Sequence, residues 1–315
     1  MENSLLPKAI KRVVVPPIKC QGIKTKLVNF IATSVKWHGE GKWIEPFLGS
    51  GVVLFNINPK RALVSDTNKY IINFYQDVQN GRIDEKIVKD YLHEMGTKLL
   101  KGGEDFYYAV REQFNKNSDN DDSLKVLFLN RCCYNGIMRF NAQGKFNVPF
   151  GHKPERFRRA YVTKIVNQVS RIRRIIQESD WKFQVSDWRE TMASANPEDF
   201  VYMDPPYIGR HTDYFNNWTE NDAIELAKIS STLKCGFALS MWQKNKYREN
   251  LHLDSHWKGF ITKTFSHFYH VGSKEEFRNE ITEALVLKAE NAVEGREGVI
   301  SEYALKHEKQ LSMFS

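Results

Sequence analysis

Apolar positions recur along the chain in two rhythms. Leu27, Phe30, Ile31 and Val35, with Ser34 on the same face, fall at three/four spacing and predict a helix over 24–35. Tyr70, Ile71, Phe74, Tyr75 and Val78 predict an amphipathic second, and Val162, Ile165, Val166, Val169, Ile172 and Ile176 a long third with a basic outer face. Short apolar runs predict strands at 42–47, 61–65, 182–185, 200–203, 236–242 and 281–287. A helix over about 222–233 separates the fourth and fifth, and Thr219 with Asp222 predicts a capping box at its start, with Asp in place of Glu. Strands alternating with helices at both ends of the chain predict an α/β fold, a mainly parallel sheet covered on both faces.

The middle of the chain breaks this rhythm. Between about 80 and 155 come helical pieces, a polar gap at 115–122, and the aromatic, glycine-punctuated stretch Asn130 to Gly151. Two extended arms around Asn141-Ala142-Gln143-Gly144 predict a hairpin. The expected organisation is therefore a sheet domain made of 1–79 and 156–290, an inserted domain over 80–155 and a polar tail over 291–315.

Charge sharpens this division. From Arg131 to Ile176 there are eleven Lys or Arg and one acid, Glu155, so this stretch carries +10 against +8 for the whole chain of 315 residues. Such a concentration of positive charge points to a polyanion, with nucleic acid the usual one. The four cysteines, Cys20, Cys132, Cys133 and Cys235, form no C-x-x-C pair, which suggests neither a zinc cluster nor a disulfide framework and fits a reducing cytoplasm. The first residues lack a signal-peptide layout and no apolar run approaches the length of a bilayer span, so a soluble intracellular protein is expected.

Two short motifs carry the chemistry. In Glu45-Pro46-Phe47-Leu48-Gly49-Ser50-Gly51, a strand, a glycine turn and a helix start form the cradle of nucleotide-binding sheets. A dinucleotide fingerprint needs a third glycine where this chain has Leu54, so a cofactor without phosphates fits better. Asp66, at the tip of the next strand, either accepts ribose hydroxyls or caps a helix. In Val201-Tyr202-Met203-Asp204-Pro205-Pro206-Tyr207, a buried strand stops and presents a carboxylate and an aromatic ring on stiff backbone. An aromatic amine such as the exocyclic NH₂ of adenine is a poor nucleophile because its lone pair is delocalised. Asp204 and the Pro205 carbonyl can accept its two N–H bonds and free that pair, while Tyr207 stacks on the base. A base inside a duplex must be flipped out to reach such a pocket.

With these motifs the chain resembles the D12 (Dam-like) class of DNA adenine-N6 methyltransferases, in family order over about 17–288. The resemblance implies a Rossmann-like methyltransferase sheet with an inserted target-recognition domain, S-adenosyl-L-methionine as cofactor, no metal, and methylation of adenine N6 in double-stranded DNA. Pro17 to Lys24 resembles the family's N-terminal cofactor motif, keeping Lys19, Gly22 and Lys24 and differing at Cys20, Gln21 and Ile23. Glu45 to Gly51 resembles the methionine-moiety loop, with Glu45, Pro46, Phe47, Gly49 and Gly51 as expected contacts. Asp66 matches the ribose-binding acid, Asp187 the residue that reads the cofactor adenine, and Asp204, Pro205, Pro206 and Tyr207 the catalytic motif. The stretch with Tyr134, Asn135, Gly136, Arg139, Asn147, Pro149, Phe150 and Gly151 resembles the target-recognition hairpin, a polar and aromatic element that can enter the major groove. With Arg131, Lys145, His152, Thr212 and Tyr214 these supply the expected DNA contacts. Members that read GATC carry an arginine where this chain has His152, and His cannot pair bidentately with guanine in the same way, so the resemblance does not carry GATC recognition over. Thr212, Tyr214 and Trp218 either hold the target strand or pack a lid loop.

Gln310-Leu311-Ser312-Met313-Phe314 resembles the pentapeptide by which bacterial proteins dock on the replication sliding clamp. A cognate restriction endonuclease is a further candidate partner, and the expected location is the nucleoid of a bacterial or phage-infected cytoplasm. Cytosine N4 and a glutamine amide present a similar NH₂, but their enzymes more often carry Ser or Asn where this chain has Asp204. A catalytically silent DNA-binding relative would have lost the cofactor motifs, which are intact here.

Overall fold

The computed structural model describes residues 5–116, 122–141, 143–207, 218–245, 249–270 and 278–294. In chain order its elements are α1 (Val28–Ser34), β1 (Trp43–Glu45), α2 (Val52–Ile57), β2 (Arg61–Asp66), α3 (Lys69–Gln79), α4 (Glu85–Lys116), α5 (Ser123–Cys132), α6 (Arg159–Gln177), β3 (Asp180–Val185), α7 (Trp188–Ala193), β4 (Phe200–Met203), α8 (Glu220–Thr232), β5 (Gly236–Asn245), α9 (His252–His256), β6 (Ile261–His270) and β7 (Arg278–Leu287). Among the described residues these strands form one sheet in the order β3-β2-β1-β4-β5-β7-β6. The first five are parallel, and β7 lies antiparallel between β5 and β6. This is the Rossmann-like sheet that the resemblance implies.

Side chains alternate across the strands, so one residue faces each layer in turn. Trp43, Phe200, Tyr202 and Ala238 join the apolar cluster on one face, which also takes in α3, α5 and α6. Ile44, Val201, Met203, Phe237 and Leu239 join the cluster on the other, with Trp188, Leu226 and Trp257. Both faces of β1 and β4 are covered, so every residue of these strands is buried, whereas the edge strand β3 alternates buried Trp181 and Phe183 with exposed Asp180 and Lys182. The segment between α3 and α6 shares the first cluster: Tyr107, Phe128, Phe146 and Phe150 pack continuously with the sheet-side residues.

The predicted strand 200–203 and the strand starting at Arg61 are observed, as is the capping box, in which Thr219 and Asp222 bond each other's backbone. Helix α1 is shorter than predicted, because Lys24 to Leu27 form a turn before it. Strand β6 was not predicted. Its sequence I-T-K-T-F-S-H-F-Y-H carries neither an apolar run nor a regular alternation, and it lies at the sheet edge, where one face needs no apolar cover.

Close approach of chain segments fixes the entry to β1. A Cβ on Gly41 would lie 2.1 Å from the Glu198 carbonyl oxygen, so only glycine lets the turn before β1 lie against the turn before β4.

Candidate active site at the switch point of the sheet

β1 is flanked by β2 on one side and β4 on the other, so the chain reverses its direction of winding between β1 and β4. At such a point the loops leaving adjacent strands diverge and open a crevice beyond their carboxyl ends. Here the crevice is a cavity of about 330 Å³. The loop after β1 supplies Glu45 to Ser50, the loop after β2 supplies Asp66 to Asn68, the start of α7 supplies Asp187 to Arg189, and the tip of β4 supplies Asp204 and Pro206.

The glycine loop is set by its backbone. Gly49 (φ 51°) and Gly51 (φ 71°) lie in the left-handed region, which side chains with a Cβ resist. Asp66 pins this loop: its carboxylate accepts from the Gly49 N–H at 2.9 Å and from the Asn68 N–H at 2.8 Å. Each carboxylate oxygen keeps a further lone pair, so Asp66 retains capacity for a ligand hydroxyl. Asp187 caps α7 by accepting from the Arg189 N–H at 2.9 Å. Arg189 is held in turn by Asp222 at 2.7 Å and Glu225 at 2.6 Å on α8, and stacks 4.3 Å over Trp188. Phe47, Trp188 and Trp218 form an aromatic wall, with ring centroids 5.5–6.2 Å apart.

Buried charge concentrates at the tip of β4. Lys24, 4 % exposed, places its ammonium 2.7 Å from Asp204 Oδ1 and 4.8 Å from the centre of the Tyr207 ring. The Tyr207 hydroxyl donates to Glu283 Oε2 at 2.8 Å, and Glu283 on β7 is itself buried. Glu45, also buried, accepts from Trp43 Nε1 at 2.7 Å. Burial pushes the Glu45 carboxyl up to about 8 against the pull of the Trp43 bond, and the Asp204 charge adds to the rise. Burial also raises the Asp204 carboxyl; Lys24 opposes this by charge and hydrogen bond, and Glu283 reinforces it. The half-buried Asp204 thus pairs with the Lys24 ammonium, and the buried Glu45 and Glu283 are coupled to it by charge.

The sequence matches the D12 class N6 adenine-specific DNA methyltransferase family over residues 21–284. The chain belongs to that family. Relatives include the Type II methyltransferase M.MjaIII of Methanocaldococcus jannaschii, 33 % identical over 238 residues that span 69 % of this chain and 79 % of that protein. A DNA adenine methylase of Haemophilus influenzae is 31 % identical over 65 % of this chain and 67 % of its own. The DNA adenine methylase of Escherichia coli K12 is 32 % identical over 60 % of this chain and 66 % of its own. The protein is thus an adenine-N6-specific DNA methyltransferase, a family whose chemistry needs a methyl donor and DNA. Among the described residues no helix is long and apolar enough to cross a membrane.

Most of the residues that the resemblance to D12 methyltransferases assigned to cofactor and catalysis come together here. Gly22, Lys24, Glu45, Pro46, Phe47, Gly49, Asp66, Asp187, Asp204 and Pro206 line one cavity. Gly51 shapes the turn without lining it, while Pro205 and Tyr207 border a smaller hollow behind Pro206 with Trp242 and Trp257. Lys19 does not line the cavity. Its backbone exchanges 2.9 Å bonds with the Asn130 side chain, and burial together with the charges of Arg131, Arg156 and Lys164 pulls its ammonium down to about 8.

The hairpin is present as antiparallel bridges between Cys133 and Phe150 and between Phe140 and Phe146. Tyr134, Asn135, Lys145 and His152 are exposed on it, while Arg139 donates to Asn147 at 2.8 Å, both half-buried. Arg131 departs from the expectation of a DNA contact. It is 3 % exposed, with its guanidinium bonded to Gln168 and set 5.6 Å from the Tyr161 ring, so it serves packing between α5 and α6. Thr212, Tyr214 and Gln310 to Phe314 lie outside the described residues.

Three participants were missed from sequence. Met138 of the hairpin lines the cavity, so the inserted segment forms part of its wall. Glu283 lies in an apolar strand where a lone acid reads as solvent-facing. Trp43 holds Glu45 through its indole N–H, a pairing two residues apart along one strand that alternation alone does show.

Proposed function

We propose that the cavity binds S-adenosyl-L-methionine and that Asp204, Pro205 and Tyr207 present the N6 of a flipped adenine to it, at a site in duplex DNA chosen by the hairpin. The observation that carries this reading is the position of Asp204: a half-buried carboxylate at the tip of β4, bordering the cavity and paired with Lys24. The donor set suits this cofactor. Glu45, Asp66 and Asp187 offer acceptors for an ammonium group, hydroxyls and an amine, and the aromatic wall of Phe47 and Trp188 offers a face for an adenine. The two cations in the lining, Lys24 and Arg189, are both engaged by carboxylates, which leaves no cradle for a pyrophosphate. When bound, S-adenosyl-L-methionine supplies an electrophilic methyl group on a sulfonium.

The protein's own part is to orient and polarise. Asp204 and the Pro205 carbonyl accept the two N–H bonds of the amine, drawing its nitrogen toward tetrahedral geometry. The positive charge that grows on nitrogen is met by the carboxylate of Asp204, which Lys24 holds in place before reaction. Tyr207 stacks on the base, and its hydroxyl bond to Glu283 fixes the plane of the ring. Extrusion of the base costs a few kcal/mol, which contacts of the exposed hairpin residues offset. Calorimetric titration with S-adenosyl-L-methionine, followed by transfer of its labelled methyl to duplex DNA, tests the reading; label on cytosine N4, or none on DNA, refutes it.

The Tyr207–Glu283 bond gives a separate expected result. Tyr207→Phe lowers the single-turnover methylation rate about tenfold, the scale of one hydrogen bond to a charged group. Glu283→Gln keeps an acceptor and stays within about threefold of wild type. In the Tyr207→Phe background, Glu283→Ala adds little, because its partner is already gone. Additive losses would show that Glu283 acts elsewhere.

A further inference from the structure

Helix α6 carries a row of cations that no part of the methyl-transfer site uses. Lys164, Arg171 and Arg174 are all exposed and fall at i, i+7 and i+10, on one side of a helix whose other side buries Val162, Ile165, Val169 and Ile172. Together with Arg12 of the N-terminal segment they line a groove of about 680 Å³. Among the described residues no carboxylate lines this groove; its remaining polar residues are neutral hydrogen-bonding side chains, among them Thr163, Asn167 and Ser170. Other cations nearby are neutralised: Arg173 lies 3.4 Å from Glu85, and Arg158 lies 3.8 Å from Glu155. A surface kept only for solubility has no reason to gather four cations, none of them in an ion pair among the described residues, along one groove, since mutual repulsion makes that arrangement unfavourable.

The groove also has a direction. It shares Ala160 and Lys164 with a second, shallower depression bordered by Lys153, one residue beyond the exposed His152 at the end of the hairpin. A mainly positive path thus runs from the base of the hairpin along α6, with Glu155, paired to Arg158 at 3.8 Å, the one acid on its border among the described residues. From Lys164 to Arg174 the helix rises about 15 Å, which is roughly four steps of a duplex at 3.4 Å each.

We infer that the α6 groove is a track for the phosphate backbone of duplex DNA flanking the methylation site, an inference that rests on duplex DNA being the substrate. The spacing and the absence of acids suit phosphates, and the short neutral donors suit their oxygens. Its apolar wall is Val13 to Val15 with Ala160, and no aromatic ring lines it among the described residues, so it offers no stacking platform for unpaired bases. Contacts of this kind position the protein and supply affinity independent of sequence.

The test compares binding of a long random-sequence duplex by wild type, by Arg171→Ala/Arg174→Ala, and by Lys234→Ala/Lys258→Ala, across a series of potassium chloride concentrations. Lys234 and Lys258 are exposed cations outside the groove, so their double variant controls for net charge. Loss of two phosphate contacts lowers the slope of log affinity against log salt by about 1.8 and weakens binding about tenfold at moderate salt, while the control changes the slope by less than about 0.5. Turnover at saturating DNA stays within about twofold of wild type, because the groove does not touch the reacting atoms. An unchanged slope in the groove variant, or an equal fall in the control, overturns the track. Tighter wild-type binding to single-stranded RNA of equal length overturns the duplex assignment. Wild type that binds no duplex at all overturns the substrate reading itself, and does so before any variant is compared.

Discussion

Asp204→Ala is expected to lose methyl transfer by about 10³-fold in turnover while binding S-adenosyl-L-methionine with nearly unchanged affinity. The asymmetry follows from geometry. Asp204 borders the cavity from the tip of β4, whereas the loops after β1 and β2 and the start of α7 form most of the remaining wall. Removing the carboxylate takes away the acceptor that meets the amine hydrogen and the charge that meets developing positive nitrogen. Asp204→Asn separates the two roles: it keeps an acceptor oxygen and loses the charge, so its rate should fall between wild type and alanine. Rapid-quench turnover and calorimetric cofactor binding measure both quantities. Near-normal methylation by the alanine variant would remove Asp204 from the chemistry.

Lys24→Met should move the acid limb of the pH–rate profile upward. The working form of Asp204 is the ionised one, so rate is lost as pH falls through its pKa. Burial already raises that pKa above the usual carboxylate range, and Lys24 opposes the rise both by charge and by hydrogen bond. Without the ammonium only the raising influences remain, burial first and then Glu283, so the limb shifts to higher pH. The same change leaves Asp204 without its counter-ion and costs about 3 kcal/mol of stability, the lower end for a broken buried pair because Asp204 keeps some solvent access. Thermal unfolding and kcat/KM against pH read the two effects separately. A profile that does not move would mean that Lys24 does not hold Asp204 ionised.

Local order was legible in the residues. Three/four spacing located α3 and α6, short apolar runs located β2 and β4, and Thr219 with Asp222 announced the cap of α8. These features are decided within about ten residues, where periodicity and capping act. Lys24 and Asp204 are brought together only by the sheet order, which depends on pairings far apart in sequence. Glu283 could not be read as buried, because an acid in a strand faces solvent unless a partner such as the Tyr207 hydroxyl awaits it. Arg131 misled for the opposite reason. A cation closing a helix reads as surface charge, yet Gln168 and Tyr161 cover it. The catalytic motif was found because its residues are contiguous; the charges that tune it arrive from strands and turns elsewhere.

The placement of β1 between β2 and β4 bears on how the chain is made. Trp43 has its first neighbour at Ala62, but its second is Phe200. At ribosomal speeds of about 5–20 residues per second, roughly 7 to 28 s separate the two events. Through that interval a nascent chain exposes one bare edge of its central strand, with the indole of Trp43 lacking its stacking partner. Newly made protein should therefore be most vulnerable to misassociation before Phe200 emerges, and slower decoding of the intervening codons would lengthen that exposure.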